Sequence, residues 1–287
     1  MTSEPNLNNY DLVLINSSAG KDSQCMLTHL VELADQQGCP RTRHLVVHAD
    51  LGRVEWPGTL ELARRQAEAY GLRFEVVART EYLLDQVVTR HHTLRAKGDT
   101  TTPAWPSSTA RYCTSDQKTS QVVKLMTRLA ADHRAAGNTA PIRILNCLGI
   151  RAAESPARAK KDPIGPDPAS NGRRTVTRWL PVFHWSKAEV WATIHRSGLP
   201  YHPAYDAGMP RLSCVLCVMA GRRELALAAR LNPDLAQQYL AVERHVGHTF
   251  RKDLSIANII ADAEQPPTEV EDDGQEQLEL CWEMVAT

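Results

Sequence analysis

The stretch LINSSAGKDSQC, residues 14–25, runs an apolar strand into Ser17, Ser18, Ala19, Gly20, Lys21, Asp22 and Ser23, then into a helical pattern. Two readings of that junction stand side by side. Asp and Ser both cap helices, so it reads as a plain helix start. Backbone N–H groups at a helix N-terminus, with serine hydroxyls and a lysine, also cradle an anion, and Gly20 lets a ligand approach the backbone closely. Asp22 would hold Mg²⁺ or orient the loop. The junction is not a Walker A loop. Counting back from Gly20-Lys21, Ile15 stands where the first glycine belongs and Asp22 where Ser or Thr belongs. Nor does it carry a dinucleotide fingerprint.

The surrounding pattern supplies the fold. Apolar strands are expected at 11–15 (DLVLI), 44–48 (HLVVH), 73–77 and 142–147 (IRILNC). Helices are expected at 23–36, 57–70, 81–91 and 118–136. Short apolar strands alternating with helices imply a mostly parallel sheet with helices on both faces. Ligands in such sheets bind beyond the carboxyl ends of the strands, which brings the tips after Ile15, His48 and Cys147 to one crevice. Ser186 followed by Glu189 reads as a capping box opening a helix. Helices are expected again near 224–231 and 233–245. Two stretches, 96–111 and 152–177, read as flexible loops rich in Pro, Thr, Ser or basic residues; the second suits a mobile lid over an anion or a plain insertion. The domain expectation is an α/β domain over 1–220, a helical extension over 221–260 and an acidic, disordered tail over 261–287.

Of 287 residues, 33 are basic and 33 acidic. Nine of the acidic ones fall after residue 260, where there is no Lys or Arg; the rest of the chain has 33 basic and 24 acidic residues, a net of +9. A basic body suits phosphate-bearing ligands, DNA included. No apolar run approaches the roughly 18 residues that span a bilayer, and no secretory leader is evident, so a cytoplasmic protein without a membrane partner is expected. Seven cysteines, an odd number, argue against a disulfide framework. Cys25 and Cys147 read as core residues. Cys113, with the Cys214-x-x-Cys217 pair, forms a pattern that ligates zinc or iron–sulfur, serves as a redox pair, or is simply structural.

Ser18-x-Gly20-x-Asp22-Ser23 resembles the pyrophosphatase loop (PP-loop) of the adenine nucleotide α-hydrolase superfamily, which includes N-type ATP pyrophosphatases, tRNA thiolation enzymes and phosphoadenylyl-sulfate (PAPS) reductases. Three further blocks resemble the PAPS reductase branch: VVHADLG with Asp50 and Gly52; LGIRAAESPAR with Gly149, Arg151, Glu154 and Arg158; and RWLPVFHWSKAEVW. The resemblance spans about 11–220. It implies a five-stranded parallel sheet and an adenine nucleotide site made by Ser17, Ser18, Ala19, Gly20, Lys21, Asp22, Ser23, Asp50, Gly149, Arg151, Glu154, Arg158 and Lys118. Lys21, Asp22 and Arg151 would be catalytic, with ATP and Mg²⁺ bound. Plainer readings are a salt-bridge array for Arg151, Glu154 and Arg158, and a turn residue for Asp50. Some members of the branch bind an iron–sulfur cluster through a tandem Cys pair and a later Cys-x-x-Cys. Here Thr114 replaces the second of the tandem, leaving Cys113, Cys214 and Cys217 as ligands for a three-cysteine cluster or zinc.

Dedicated reductases of the branch use a cysteine in Glu-Cys-Gly-x-His. The late Cys281, in ELCWEM, lacks the Gly and His. The chain is therefore most similar to PP-loop proteins of DNA phosphorothioation, of the DndC and SspD type. That resemblance implies ATP cleavage to AMP and pyrophosphate, with a cysteine desulfurase or another sulfur-transfer protein as partner. The other readings are a PAPS or adenosine 5'-phosphosulfate (APS) reductase, and a nucleotide-binding subunit without turnover.

Overall fold

The computed structural model describes residues 4–265. Its centre is a six-stranded sheet of β1 Leu12–Asn16, β2 His44–Asp50, β3 Arg73–Ala78, β4 Ile142–Leu148, β5 Ile164–Pro166 and β6 Arg174–Trp179. The order is β3-β2-β1-β4-β6-β5. Five strands are parallel and the edge strand β5 runs antiparallel to β6. This is the expected α/β architecture, with the expected parallel sheet of five strands plus one edge strand. The order reverses between β1 and β4, so the crevice beyond their carboxyl ends is the topological switch point.

β1 and β2 read as unbroken apolar runs because the sheet is covered on both faces. Val13 and Ile15 face one core with Met26, Leu30 and Leu145; Leu12 and Leu14 face another with Leu125, Met126 and Ile144. Helix α1, Lys21–Gln37, covers the first of these faces with Cys25, Met26, Leu27, Leu30 and Val31. It ends at Gly38, whose left-handed φ of 61° lets the N–H of Cys39 reach the carbonyl of Ala34. Helix α2, Thr59–Ala69, starts two residues later than its Pro57 suggests, because Gly58 at φ 85° breaks the path. Helix α3 covers Leu83–Ala96; α4, Tyr112–Thr114, runs through a π-helical turn at Ser115–Thr119 into α5, Ser120–Ala135.

The reading of 152–177 as an unstructured loop is corrected. After α6, Pro156–Ala159, this segment supplies β5 and most of β6, which sits inside the sheet beside β4. Basic residues mask the strand in the sequence. Arg174 is buried, and its guanidinium donates to the Ala169 carbonyl (2.6 Å) and the Thr127 hydroxyl (2.7 Å), which removes the cost of burial. The loop at 96–111 is also anchored: α3 takes its first residue, and Trp105 is buried, stacks on Tyr239 and donates its indole N–H to the His248 carbonyl.

Helix α7, Lys187–Ser197, opens with the expected capping box: Glu189 N–H donates to Ser186 Oγ, and Ser186 N–H to Glu189 Oε2. Helices α8 Arg222–Leu231, α9 Pro233–Val246 and α10 Ile256–Glu264 follow. They share a core with Leu51, Val54, Trp56, Leu83 and Leu84, so the helical extension is packed onto the α/β layer. α10 carries helix to residue 264; the remainder of the acidic tail and Cys281 lie outside the described residues. No helix among the described residues is long and apolar enough to cross a membrane.

Candidate nucleotide and anion site

The loop after β1 is built by its own side chains. Ser17 N–H donates to the Val47 carbonyl, tying the loop to β2. Ala19 takes a left-handed φ of 53°, which turns the chain onto the helix, and its N–H donates to Ser17 Oγ. Ser23 Oγ accepts from Ser18 N–H (3.2 Å) and donates to the Gly20 carbonyl (2.9 Å). The amides of Gly20, Asp22 and Ser23 keep no hydrogen-bond partner among the described residues. They open the 17-residue helix α1, whose N-terminal dipole favours negative charge. The loop therefore offers hydrogen-bond donors at the positive end of the helix dipole.

Gly149 is required by this arrangement. A Cβ there would lie 2.9 Å from the backbone of Asp22 and Ser23, so the turn after β4 is pressed against the helix start. Two residues on, Arg151 is 6% exposed and its Nε donates to Asp22 Oδ1 at 2.5 Å, while Nη1 reaches the Trp185 carbonyl. Glu154 accepts from the Arg151 N–H and pairs with Arg158. Lys21 is buried; its ammonium lies 3.7 Å from Asp22 Oδ2 and donates to the Pro210 carbonyl at 2.8 Å. Desolvation pulls the Lys21 pKa down, Asp22 and Glu154 push it up, and Arg151 and Lys187 push it down. Lys21, Asp22, Gly149, Arg151, Glu154 and Arg158 are thus brought together as expected, but Arg151 is committed to Asp22.

Asp50 is placed differently. Its carboxylate accepts from the Gly52 N–H (2.7 Å) and the Tyr82 hydroxyl (3.3 Å), so it shapes the turn after β2. Gly52 is obligatory there, with φ 63° and a Cβ position 2.9 Å from the Tyr82 ring. Asp22, expected to hold Mg²⁺ or orient the loop, and Asp50, expected near the nucleotide or as a turn residue, are both already engaged. Lys118 lies in the π-helical turn, where its charge acts on Cys113 and Cys214.

Three residues of the site escape sequence reading. The Tyr205 hydroxyl accepts from Lys21 N–H at 2.7 Å, across 184 positions of sequence. His48 is 1% exposed and bridges the Ser17 carbonyl and Glu55 Oε2, each at 3.0 Å. A carbonyl only accepts, so Nδ1 carries its proton toward Ser17. Lys187 is the first residue of α7. Its place after a capping serine is the one signal available beforehand.

Cys113, Cys214 and Cys217 border the core that holds Tyr239. Among the described residues no three His, Cys, Asp or Glu side chains are placed to hold a metal ion. Thr114, at the tandem position, accepts from the Arg111 guanidinium. The three thiols neighbour one another: Cys217 acts on both Cys113 and Cys214, and Cys113 acts on Cys214, each interaction raising the affected thiol. Desolvation pushes the Cys214 thiol up to about 12 and raises Cys113 as well. Cys25, also desolvated, is pushed up to about 12.

The phosphoadenosine phosphosulfate reductase domain matches residues 13–220, and the chain belongs to that family. It is 29% identical over 134 residues to an uncharacterised 37.8 kDa protein of Escherichia phage 186, covering 46% of this chain and 37% of that one. It is 35% identical over 69 residues to the adenosine 5'-phosphosulfate reductase of Salinibacter ruber, covering 24% of this chain and 26% of the other. The chain thus spans well under half the length of these relatives. Among solved structures, the phosphoadenylyl-sulfate reductase of Candida auris in complex with phosphate aligns with a TM-score of 0.39 at 17% identity, over 74% of this chain and 83% of that one.

Proposed function

We propose that the chain is an ATP pyrophosphatase of the PAPS reductase family that activates an acceptor for sulfur insertion. The observation that carries this reading is the trio of unpartnered amides at Gly20, Asp22 and Ser23, opening α1 beside the Lys21 ammonium. An acceptor oxygen attacks the α-phosphorus, the bond from that phosphorus to the bridging oxygen breaks, and pyrophosphate leaves with the electron pair. The loop amides and Lys21 take up the charge that develops on the leaving group. Arg151 acts through Asp22, holding its carboxylate away from the incoming phosphates. Asp22 is the residue that would hold Mg²⁺ or orient the loop, and the ion would supply charge neutralisation on the phosphates. Sulfur then displaces AMP from the adenylylated acceptor. Little covalent chemistry is asked of the protein. The basic body, net +9 outside the acidic C-terminal stretch, suits DNA as the acceptor, with a cysteine desulfurase or similar protein as sulfur donor.

The second reading, reduction of an adenylyl sulfate, is favoured by the short match to APS reductases. It needs a thiolate nucleophile. Cys25, Cys39, Cys113, Cys147 and Cys214 are all pushed up by burial, which keeps them protonated near neutrality. The test is product analysis on the purified full chain. AMP and pyrophosphate from ATP, diminished in Lys21→Ala, support the pyrophosphatase. Sulfite released from APS or PAPS with thioredoxin, and no AMP from ATP, supports the reductase instead.

A further inference from the structure

Away from the loop and the cysteines, two helices bring three imidazoles together. α3 carries His91 and His92 near its C-terminal end, and α9 carries His245 in its last turn. Ring centroids are 5.5 Å apart for His91 and His92, 5.2 Å for His92 and His245, and 5.9 Å for His91 and His245, all edge-on. His92 Nε2 and His245 Nε2 share a hydrogen bond at 3.3 Å on the surface, which an ion displacing the shared proton would replace. Two nitrogens bound to one tetrahedral zinc at about 2.0–2.1 Å stand about 3.3–3.4 Å from each other. The pair is therefore already spaced for a shared cation. It also sits near the C-terminal ends of both helices, where the backbone dipoles favour positive charge.

The charges around the pair agree. Arg95, on the same helix as His92, is engaged by His248 Nε2 and the Asp99 carbonyl, each at 3.1 Å.

We propose that His92 and His245 chelate a divalent first-row transition metal of the zinc or nickel type at the junction of α3 and α9. Water fills the other positions. No three side chains among the described residues yet close on one point, so the chelate as it stands is a two-imidazole one. The ion clasps the C-terminal helices to α3, and the site is independent of any nucleotide reading.

The test is a calorimetric titration of the metal-free full chain with NiCl₂, beside His92→Ala, His245→Ala and Cys214→Ser. His92 and His245 are exposed, so the alanine variants are expected to fold, which far-UV circular dichroism checks. The expected result is one binding event, weakened about tenfold or more in each histidine variant and retained in Cys214→Ser. Electron paramagnetic resonance of the Cu²⁺ form is expected to carry imidazole nitrogen splitting. No binding, binding unchanged in both histidine variants, or binding lost only in Cys214→Ser overturns the proposal.

Discussion

Arg151 Nε lies 2.5 Å from Asp22 Oδ1, and this nearly buried pair ties the turn after β4 to the first turn of α1. The two loops that meet at the switch point are thereby one unit. Removing one partner of a buried pair leaves an uncompensated charge, which costs about 3–5 kcal/mol. Asp22→Ala is expected to lose stability of that order in urea unfolding. The double variant Asp22→Ala/Arg151→Met is expected to lose clearly less than the sum of the single losses; strict additivity would show the pair to be uncoupled.

Gly149 is the second tie. Gly149→Ala places a methyl group 2.9 Å from the Asp22 and Ser23 backbone, which cannot move without disturbing the start of α1. The expected cost is about 1–3 kcal/mol of stability. Gly172→Ala, with nothing within 4 Å of the new Cβ, serves as the matched control and is expected to be close to neutral in the same thermal unfolding assay.

Tyr205 caps the Lys21 N–H in the absence of ligand. Tyr205→Phe leaves that amide unpaired, at a cost near 1 kcal/mol. An arriving anion recovers it. Pyrophosphate affinity, measured by calorimetry, is expected to rise by up to about tenfold while the free protein becomes less stable.

The Lys21 ammonium gives the site a pH dependence. Its folded pKa lies below the 10.5 of the free side chain, chiefly through burial. Between those two values the unfolded chain binds more protons, so this group makes stability rise with pH in that window. Anion binding has the opposite sign: affinity falls as pH climbs through the folded value, because the charge is lost. Pyrophosphate binding at alkaline pH is expected to take up a proton, read from calorimetry in buffers of different ionisation enthalpy. Lys21→Ala is expected to abolish that uptake.

The sequence makes much of this visible, and physical reasons separate what it reveals from what it hides. Strands β1, β2 and β4 are legible because a parallel sheet covered on both faces demands apolar runs. β6 is not, because RTVTRW places a buried Arg174 where an apolar residue is expected, and its two hydrogen-bond acceptors come from elsewhere in the chain. Ser17 to Ser23 are legible as an anion loop since small residues, glycine and a helix start are contiguous. Arg151 is legible as a cation in that crevice, but its partner is not: residue type says that a guanidinium seeks a carboxylate or phosphate, and only packing decides which. Tyr205 and His48 carry no local signal, since each is defined by a contact made through tertiary structure. The cysteine spacing suggests ligands, and the fold brings Cys113, distant in sequence, beside the Cys214 and Cys217 pair.

The most direct measurement is pyrophosphate binding to the full chain by isothermal calorimetry, with Gly149→Ala and Lys21→Ala alongside. The account predicts one site in the wild-type chain, weakened about tenfold or more in each variant. Absence of binding, or equal binding by all three proteins, would contradict the assignment of residues 17–23 as a pyrophosphate cradle.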